Sequence, residues 1–222
     1  MRRVISHLPG TFFIYIIIVI FSGNYLLAQH SVENPELDKK VEAFLKSKKN
    51  QWHDLNVPDT DGKLLYDIII KNGYTKGLEI GTSTGHSAIW IAWAMSKTNG
   101  KLITIEISER RYKEAIANFE EAGLSKYIDA RLANAHDLVK KLQGPFDFVF
   151  SDADKDWYTN YFIDVAPKLK AGGSFAAHNV RPPGAGGMSA TKAYLAYVMD
   201  LENFTTTVNN SGGGLAISVK NN

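Results

Sequence analysis

The stretch Leu78-Glu79-Ile80-Gly81-Thr82-Ser83-Thr84-Gly85-His86-Ser87 decides the fold of this chain. A short apolar run ends at Gly81, a turn with a second glycine at Gly85 follows, and a helical pattern begins after it. This order predicts a buried strand, a tight loop and a helix N-terminus. Glycine permits a positive φ and lets a ligand come close to the backbone. Because free N–H groups at a helix start favour an anionic or carboxylate-bearing ligand, the stretch predicts a nucleotide-type binding loop.

Strand and helix patterns alternate around this loop. The predicted strands lie at 77–81, 102–106, 127–132, 146–151, 174–177, 204–208 and 215–219. The predicted helices lie at 35–49, 64–72, 87–95, 109–123, 136–142, 158–169 and 191–200. The alternation predicts an α/β fold, a Rossmann-like, doubly wound and mostly parallel seven-stranded sheet with helices on both faces. The last two strands have no helix between them, so one C-terminal strand must be antiparallel. Ligands of such sheets bind at the carboxyl ends of the strands.

Composition limits the classes of partner. The formal net charge of +2 comes entirely from Arg2 and Arg3, and the rest of the chain holds 23 basic and 23 acidic side chains. A neutral domain gives no reason to expect nucleic acid as a partner. The sequence contains no cysteine, which excludes disulfides and thiolate metal sites. With no internal repeat or linker, residues 29–222 are predicted to form one domain.

The N-terminus has the pattern of a targeting segment. A basic start is followed by an apolar run at 12–21 and by a small residue, Ala28. This order predicts a secretory signal cleaved after Ala28. An uncleaved membrane anchor through residues 11–27 stays open, although the run is short for a span of about 20 apolar residues, and so does an unusual soluble extension. A signal peptide or an anchor at residues 1–28 predicts an exported, periplasmic or membrane-anchored protein.

Polar residues follow the predicted strands. Glu106 ends the second strand, where a carboxylate can accept hydrogen bonds from both hydroxyls of a ribose. Gly81 and Gly85 are four residues apart, without the G-x-G pair of dinucleotide sites. That spacing argues for a smaller adenosine ligand with its own carboxylate.

Asp152-Ala153-Asp154-Lys155 follows the fourth predicted strand, and His178-Asn179 follows the fifth. Carboxylates at a strand end can bind a hard cation, and a lysine nearby can act as a base. An acidic cluster that only stabilises a helix start is the alternative, and Asp154 fits it best.

Five segments in this order resemble class I S-adenosylmethionine-dependent O-methyltransferases of the catechol and caffeoyl-CoA type. They are residues 56–62, 78–87, 102–107, 146–155 and 172–180. The resemblance implies S-adenosylmethionine as the cofactor and Lys155 and Asp152 as the catalytic residues, with Lys155 deprotonating the acceptor. It implies a cofactor site made of Val57, Glu79, Gly81, Ser87, Glu106, Asn134, Ala135, His136 and Asp152. Asn134 stands where many relatives carry an acid that holds the adenine amine.

The resemblance also implies a divalent metal held by Asp152, His178 and Asn179. Metal-dependent relatives usually have Asp-Asn where this chain has His178-Asn179. Losing a carboxylate weakens Mg²⁺ binding, and imidazole suits Mn²⁺ or another first-row metal better. A metal-free site in which His178 makes hydrogen bonds is the alternative.

The resulting prediction is an O-methyltransferase that acts on a hydroxyl of a small phenolic or catecholic acceptor, with or without a metal.

Trp157, Tyr158 and Met188 flank the acceptor side, where acceptor contact and simple core packing both stay open. Relatives of the caffeoyl-CoA type are commonly dimers, and the oligomeric state, a homodimer included, stays open. Two other classes stay open: an exported, non-catalytic binding protein and, disfavoured by the glycine spacing, a nicotinamide oxidoreductase. A cytoplasmic location also stays open, because S-adenosylmethionine is made in the cytosol.

Overall fold

A computed structural model describes residues 32–221 of the chain. The predicted signal peptide or membrane anchor lies outside the described residues and stays a prediction. Within residues 32–221, none of the helices combines the length and the apolar character that crossing a membrane requires.

The core of the fold is one seven-stranded sheet in the order β3-β2-β1-β4-β5-β7-β6. Its strands are β1 (Lys76–Ile80), β2 (Lys101–Glu106), β3 (Ile128–Leu132), β4 (Phe146–Ser151), β5 (Leu169–His178), β6 (Phe204–Asn209) and β7 (Leu215–Lys220). β1 pairs in parallel with β2 and β4, and β7 runs antiparallel to both β5 and β6. The predicted sheet with one antiparallel C-terminal strand is therefore confirmed.

Seven α-helices accompany the sheet in the described part of the chain. They are α1 (Pro35–Ser47), α2 (Asp59–Asn72), α3 (His86–Lys97), α4 (Glu109–Ala122), α5 (Ala135–Lys141), α6 (Tyr158–Val165) and α7 (Ser189–Met199). The helices α1 to α4 share one hydrophobic core with one face of the sheet, and α5 to α7 share another core with the opposite face. This is the doubly wound arrangement that the sequence predicted.

Three element boundaries differ from the prediction by more than two residues: the end of α6, the start of β5 and the start of α2. The helix predicted at 158–169 ends at Val165, and β5 already begins at Leu169 after a short 3₁₀ turn. Pro167 lies in that turn, and proline cannot donate the backbone hydrogen bond that would continue an α-helix. α2 begins five residues earlier than predicted, at Asp59, with Pro58 at its N-cap. Acidic side chains in the first turn favour this early start, and it places Asp61 on a helix instead of in a loop.

Alternation along β1 positions the site. Leu78 and Ile80 point into the core shared with α5 to α7, while Glu79 between them is completely buried on the other face. The chain leaves the sheet at Gly81, next to the carboxyl ends of β2 and β4. The polar residues that follow these strands therefore meet at one edge.

Candidate active site

The loop after β1 is held by its backbone against both neighbouring strands. The N–H groups of Gly81 and Thr82 donate to the carbonyl oxygen of Ile105, at 3.0 and 3.1 Å. Gly81 has φ of 101°, and a Cβ atom there would lie 2.9 Å from the backbone nitrogen of Ala153. Only glycine fits this position without strain, because it combines a positive φ with close backbone approach.

Glu106 connects the loop to the end of β2. Its Oε2 accepts a hydrogen bond of 2.8 Å from the backbone N–H of Ser83. Its Oε1 accepts from the N–H groups of Ile107 and Ser108, at 3.1 and 2.8 Å. Two carboxylate oxygens offer about four acceptor positions. The protein uses three of them, which leaves capacity for a ligand hydroxyl.

A cavity of about 730 Å³ opens at this edge of the sheet. Its volume lies in the usual range of small-molecule sites. Its lining includes Gly81, Ser83, Glu106, Asn134, Ala135, His136, Asp152, Lys155, His178 and Asn179. A larger groove of about 1220 Å³ lies between α1, α2 and α3, away from these strand ends.

Six of the nine predicted cofactor residues line the cavity: Gly81, Glu106, Asn134, Ala135, His136 and Asp152. Val57, Glu79 and Ser87 are buried and lie outside its lining. The carbonyl oxygen of Val57 contacts Nδ1 of His86 at 2.8 Å, so this residue supports the first turn of α3.

Glu79 is an acid without charge compensation. Its Oε2 accepts a hydrogen bond of 2.5 Å from Thr104, and its Oε1 is buried without a hydrogen-bond partner among residues 32–221. Burial raises the pKa of Glu79 to about 8, although the nearby hydroxyl groups of Ser87 and Thr104 oppose the rise. At neutral pH the side chain is therefore mainly the uncharged acid beneath the loop.

The residues after β3 form a second wall of the cavity. Oδ1 of Asn134 accepts the N–H of His136 at 2.9 Å and caps α5, so this oxygen has a structural task. The His136 ring stacks on Trp157 with centroids 4.2 Å apart and planes 16° apart. Trp157 and the fully buried Tyr158 therefore pack within the protein, whereas Met188 lines the cavity.

Asp152 and Lys155 form an ion pair at the end of β4. Lys155 Nζ donates to Asp152 Oδ1, and to the carbonyl oxygens of Asp152 and Ala153 at 3.2 Å each. Oδ1 of Asp154 accepts the N–H of Asp156 at 3.2 Å, which confirms that Asp154 caps a short helix.

His178 lies between two carboxylates. Its Nδ1 is 3.1 Å from Oδ2 of Asp152, and its Nε2 is 2.8 Å from Oδ2 of Asp61. Burial lowers the pKa of His178, but the hydrogen bonds to Asp152 and Asp61 outweigh it and raise the pKa to about 9. The imidazole is therefore mainly protonated at neutral pH.

Asp61 is the residue of the site that the sequence did not indicate. It is 117 residues from His178 along the chain and almost completely buried. Its segment belongs to the resemblance, but no chemical role was assigned to it. The only local signal is an acidic residue in the first turn of a helix, and such residues are usually exposed.

The residues present do not fit a divalent cation. Both ring nitrogens of His178 are engaged by carboxylates, and both oxygens of Asp152 are engaged by His178 and Lys155. Only Asn179 of the three predicted ligands keeps its donor oxygen free of these contacts. In the part of the chain that the structure describes, no group of three His, Cys, Asp or Glu side chains is arranged to hold a metal.

Comparison with known proteins agrees with this geometry. The sequence model of the O-methyltransferase family matches residues 28–205. A catechol O-methyltransferase from Niastella koreensis is 40% identical over 107 residues, which cover 46% of this chain and 48% of the relative. A caffeoyl-CoA O-methyltransferase from Eucalyptus globulus is 28% identical over 191 residues, covering 79% and 77%. Of these two relatives, the chain thus spans about half of the first and three quarters of the second.

Solved structures share the fold. The O-methyltransferase TomG from Streptomyces achromogenes, in complex with S-adenosylmethionine, has a TM-score of 0.68 at 25% identity, covering 86% of this chain and 92% of the other. An O-methyltransferase from Bacillus cereus, in complex with S-adenosylhomocysteine, has a TM-score of 0.68 at 23% identity, covering 85% and 92%.

Proposed function

This chain belongs to the O-methyltransferase family, and from that premise we propose that it transfers the methyl group of S-adenosylmethionine to a hydroxyl of a small acceptor. The names of the two similar proteins, a catechol and a caffeoyl-CoA O-methyltransferase, support a phenolic or catecholic acceptor. One observation carries the proposal. A single cavity is lined by the glycine loop with Glu106 and by the Asp152–Lys155 pair.

The cofactor half of the cavity suits a polar ligand. S-adenosylmethionine supplies a methyl group on a positively charged, electrophilic sulfur. Glu106 keeps acceptor capacity for a ribose hydroxyl, as its three backbone contacts leave one position open. Ser83 Oγ is buried in the cavity wall and has no hydrogen-bond partner among residues 32–221. A buried hydroxyl of this kind costs free energy until a ligand or a water satisfies it.

Lys155 is the group proposed to receive the acceptor proton. In the described state its ammonium group gives its three hydrogens to oxygens of Asp152 and Ala153, so it has no lone pair to accept a proton. The reactive form is therefore the neutral amine. As the acceptor oxygen bonds to the methyl carbon, the bond from that carbon to sulfur would break and S-adenosylhomocysteine would leave, while the O–H proton passes to the lone pair of Lys155.

The test is methyl transfer from S-adenosylmethionine to a panel of phenols and catechols, followed by mass spectrometry. Lys155→Ala removes both the charge and the base, and Lys155→Arg keeps the charge but cannot be deprotonated. Both variants should lose at least about a hundredfold in rate, the lower end of what a general base contributes. Lys113→Arg is the matched control, because Lys113 is an exposed lysine on α4.

Each outcome has a distinct meaning. Full activity in Lys155→Arg would show that Lys155 acts through its charge and not as a base. Full activity in Lys155→Ala would refute its role altogether. Binding of S-adenosylhomocysteine without turnover of any acceptor would favour the non-catalytic binding protein.

A further inference from the structure

Four charged side chains form a continuous row in the order Asp61, His178, Asp152, Lys155. The last three line the cavity, and Asp61 is buried behind them. We propose that His178, bridging Asp61 and Asp152, takes the place of a divalent cation, so that methyl transfer by this chain needs no metal. The methyl-transfer part of this inference rests on the proposed function. The absence of a metal site is a separate statement that can be tested without any activity.

The first argument is the geometry of the ring. Carboxylate oxygens only accept hydrogen bonds, and each ring nitrogen of His178 faces one, at 3.1 Å for Asp152 and 2.8 Å for Asp61. Both contacts are favourable only if both nitrogens carry hydrogen. A ring in that state has no lone pair to offer to a metal.

The second argument is charge. Metal ions in such sites neutralise carboxylates that would otherwise repel one another. Here the carboxylates of Asp61 and Asp152 are already neutralised by His178 and Lys155, so the row carries no net charge. A divalent cation added beside Asp152 would meet two positive side chains in a partly buried place, where charges interact strongly.

The third argument is that the protein encloses the imidazole of His178 together with the two carboxylates that it bridges. The backbone N–H of Gly213, between β6 and β7, donates to Oδ2 of Asp61 at 2.8 Å. A Cβ atom at Gly213 would lie 2.4 Å from Nε2 of His178, so the loop backbone covers the ring closely. On the other side, the hydroxyl of Tyr158 donates to the carbonyl oxygen of His178 at 3.1 Å. The imidazole is thus held by its ring and by its backbone.

The contacts of its ring with Asp61 and Asp152 give His178 a positioning role. With Oδ2 of Asp152 fixed by the imidazole, Oδ1 is left facing Lys155. The carboxylate orientation that a metal would otherwise impose is then imposed by a side chain. His178 acts through Asp152 and does not need to touch the acceptor.

The experiment measures metal dependence on the full chain. For the wild type, we expect EDTA to leave the methyl-transfer rate unchanged and Mg²⁺ or Mn²⁺ to give no binding signal in calorimetry. For His178→Asp, which restores the carboxylate of metal-dependent relatives, we expect Mn²⁺ to bind. Its melting temperature should rise with Mn²⁺, because a ligand that binds only the folded state stabilises it, whereas that of the wild type should not change.

A loss of about tenfold or more in wild-type rate with EDTA, restored by Mn²⁺ or Mg²⁺, would overturn the inference. Saturable binding of either ion to the wild type at this site, abolished in Asp152→Asn, would overturn it as well. If His178→Asp does not fold, because a third carboxylate repels Asp61 and Asp152, the double variant Asp61→Asn with His178→Asp removes one charge and is tested in its place. If no acceptor is methylated under any condition, the proposed function fails while calorimetry and melting still decide the metal question.

Discussion

The backbone N–H of Ser83 lies 2.8 Å from Oε2 of Glu106, so the glycine loop after β1 is bonded to the acid that ends β2. This one hydrogen bond joins two motifs that are 23 residues apart. It means that Glu106 has two tasks, to fix the shape of the loop and to present a carboxylate to the cavity. A substitution there should affect both.

Glu106→Gln is expected to weaken cofactor binding. An amide keeps the size of the side chain, but its NH₂ group faces backbone N–H donors that a carboxylate satisfies. Hydrogen bonds to charged groups contribute about 1.5–3 kcal/mol, which corresponds to about a ten- to hundredfold weaker Kd for S-adenosylhomocysteine. Calorimetry measures the Kd. Glu109→Gln, an exposed acid at the start of α4, should leave it unchanged, and equal Kd values for all three proteins would contradict the role.

Gly81→Ala is expected to destabilise the fold and to close part of the cavity. The backbone there has φ of 101°, and the added Cβ would lie 2.9 Å from the nitrogen of Ala153. Positive φ costs a non-glycine residue about 1–2 kcal/mol, and overpacking costs about 1–3 kcal/mol more. Gly184→Ala separates the two effects, because Gly184 has φ of 85° but no atom within 4 Å of the added Cβ. Equal losses of unfolding free energy in the two variants would show that the contact with Ala153 is unimportant.

Glu79→Gln is expected to remove a pH dependence of stability. The pKa of Glu79 rises from its ordinary value of 4.5 to about 8 on folding. Between these values the folded chain keeps a proton that the unfolded chain has lost, so the unfolding free energy falls as pH rises, by up to about 1.4 kcal/mol per unit. His178, whose pKa is also raised, acts in the same direction only above its ordinary value of 6.5.

From about pH 5 to 6.5 His178 does not contribute, while His86, whose pKa is lowered by burial, acts in the opposite direction, so Glu79 is read from the difference between the wild type and Glu79→Gln. Urea unfolding across this range should give an unfolding free energy whose slope against pH is more negative for the wild type than for Glu79→Gln. Glu109→Gln should keep the wild-type slope, since this side chain is exposed. Parallel profiles for the wild type and Glu79→Gln would mean that Glu79 is ionised in the folded chain.

The sequence predicted those parts of the site that local pattern encodes. Gly81, Glu106 and the Asp152–Lys155 pair each follow an apolar strand directly, and parallel strands bring their carboxyl ends to one edge. The same logic placed His178 at that edge. Strand order does not distinguish metal binding from hydrogen bonding for His178, because it does not identify the neighbours of the imidazole ring.

There is a physical reason why the sequence could not predict the contact of His178 with Asp61. The two residues are 117 positions apart and are brought together by the packing of α2 against the end of β5. Sequence also placed Asp61 before the helix, because the start of α2 at Asp59 was missed. Tertiary packing, which local pattern does not contain, decides such contacts.

Gly213→Ala is expected to disturb the contacts of His178 with Asp61 and Asp152, because Gly213 lies in the loop that covers the imidazole. The added Cβ would lie 2.4 Å from Nε2 of His178 and 3.1 Å from Oδ2 of Asp61, so the ring or the loop must move. Overpacking of this kind costs about 1–3 kcal/mol of unfolding free energy. A double-mutant cycle with His178→Ala measures how much of that cost belongs to the ring. Because removing the ring removes the clash, Gly213→Ala should cost less in the His178→Ala background than in the wild type. Additive costs would show that the loop of Gly213 and the imidazole do not press on each other, and that the loop does not enclose the bridge.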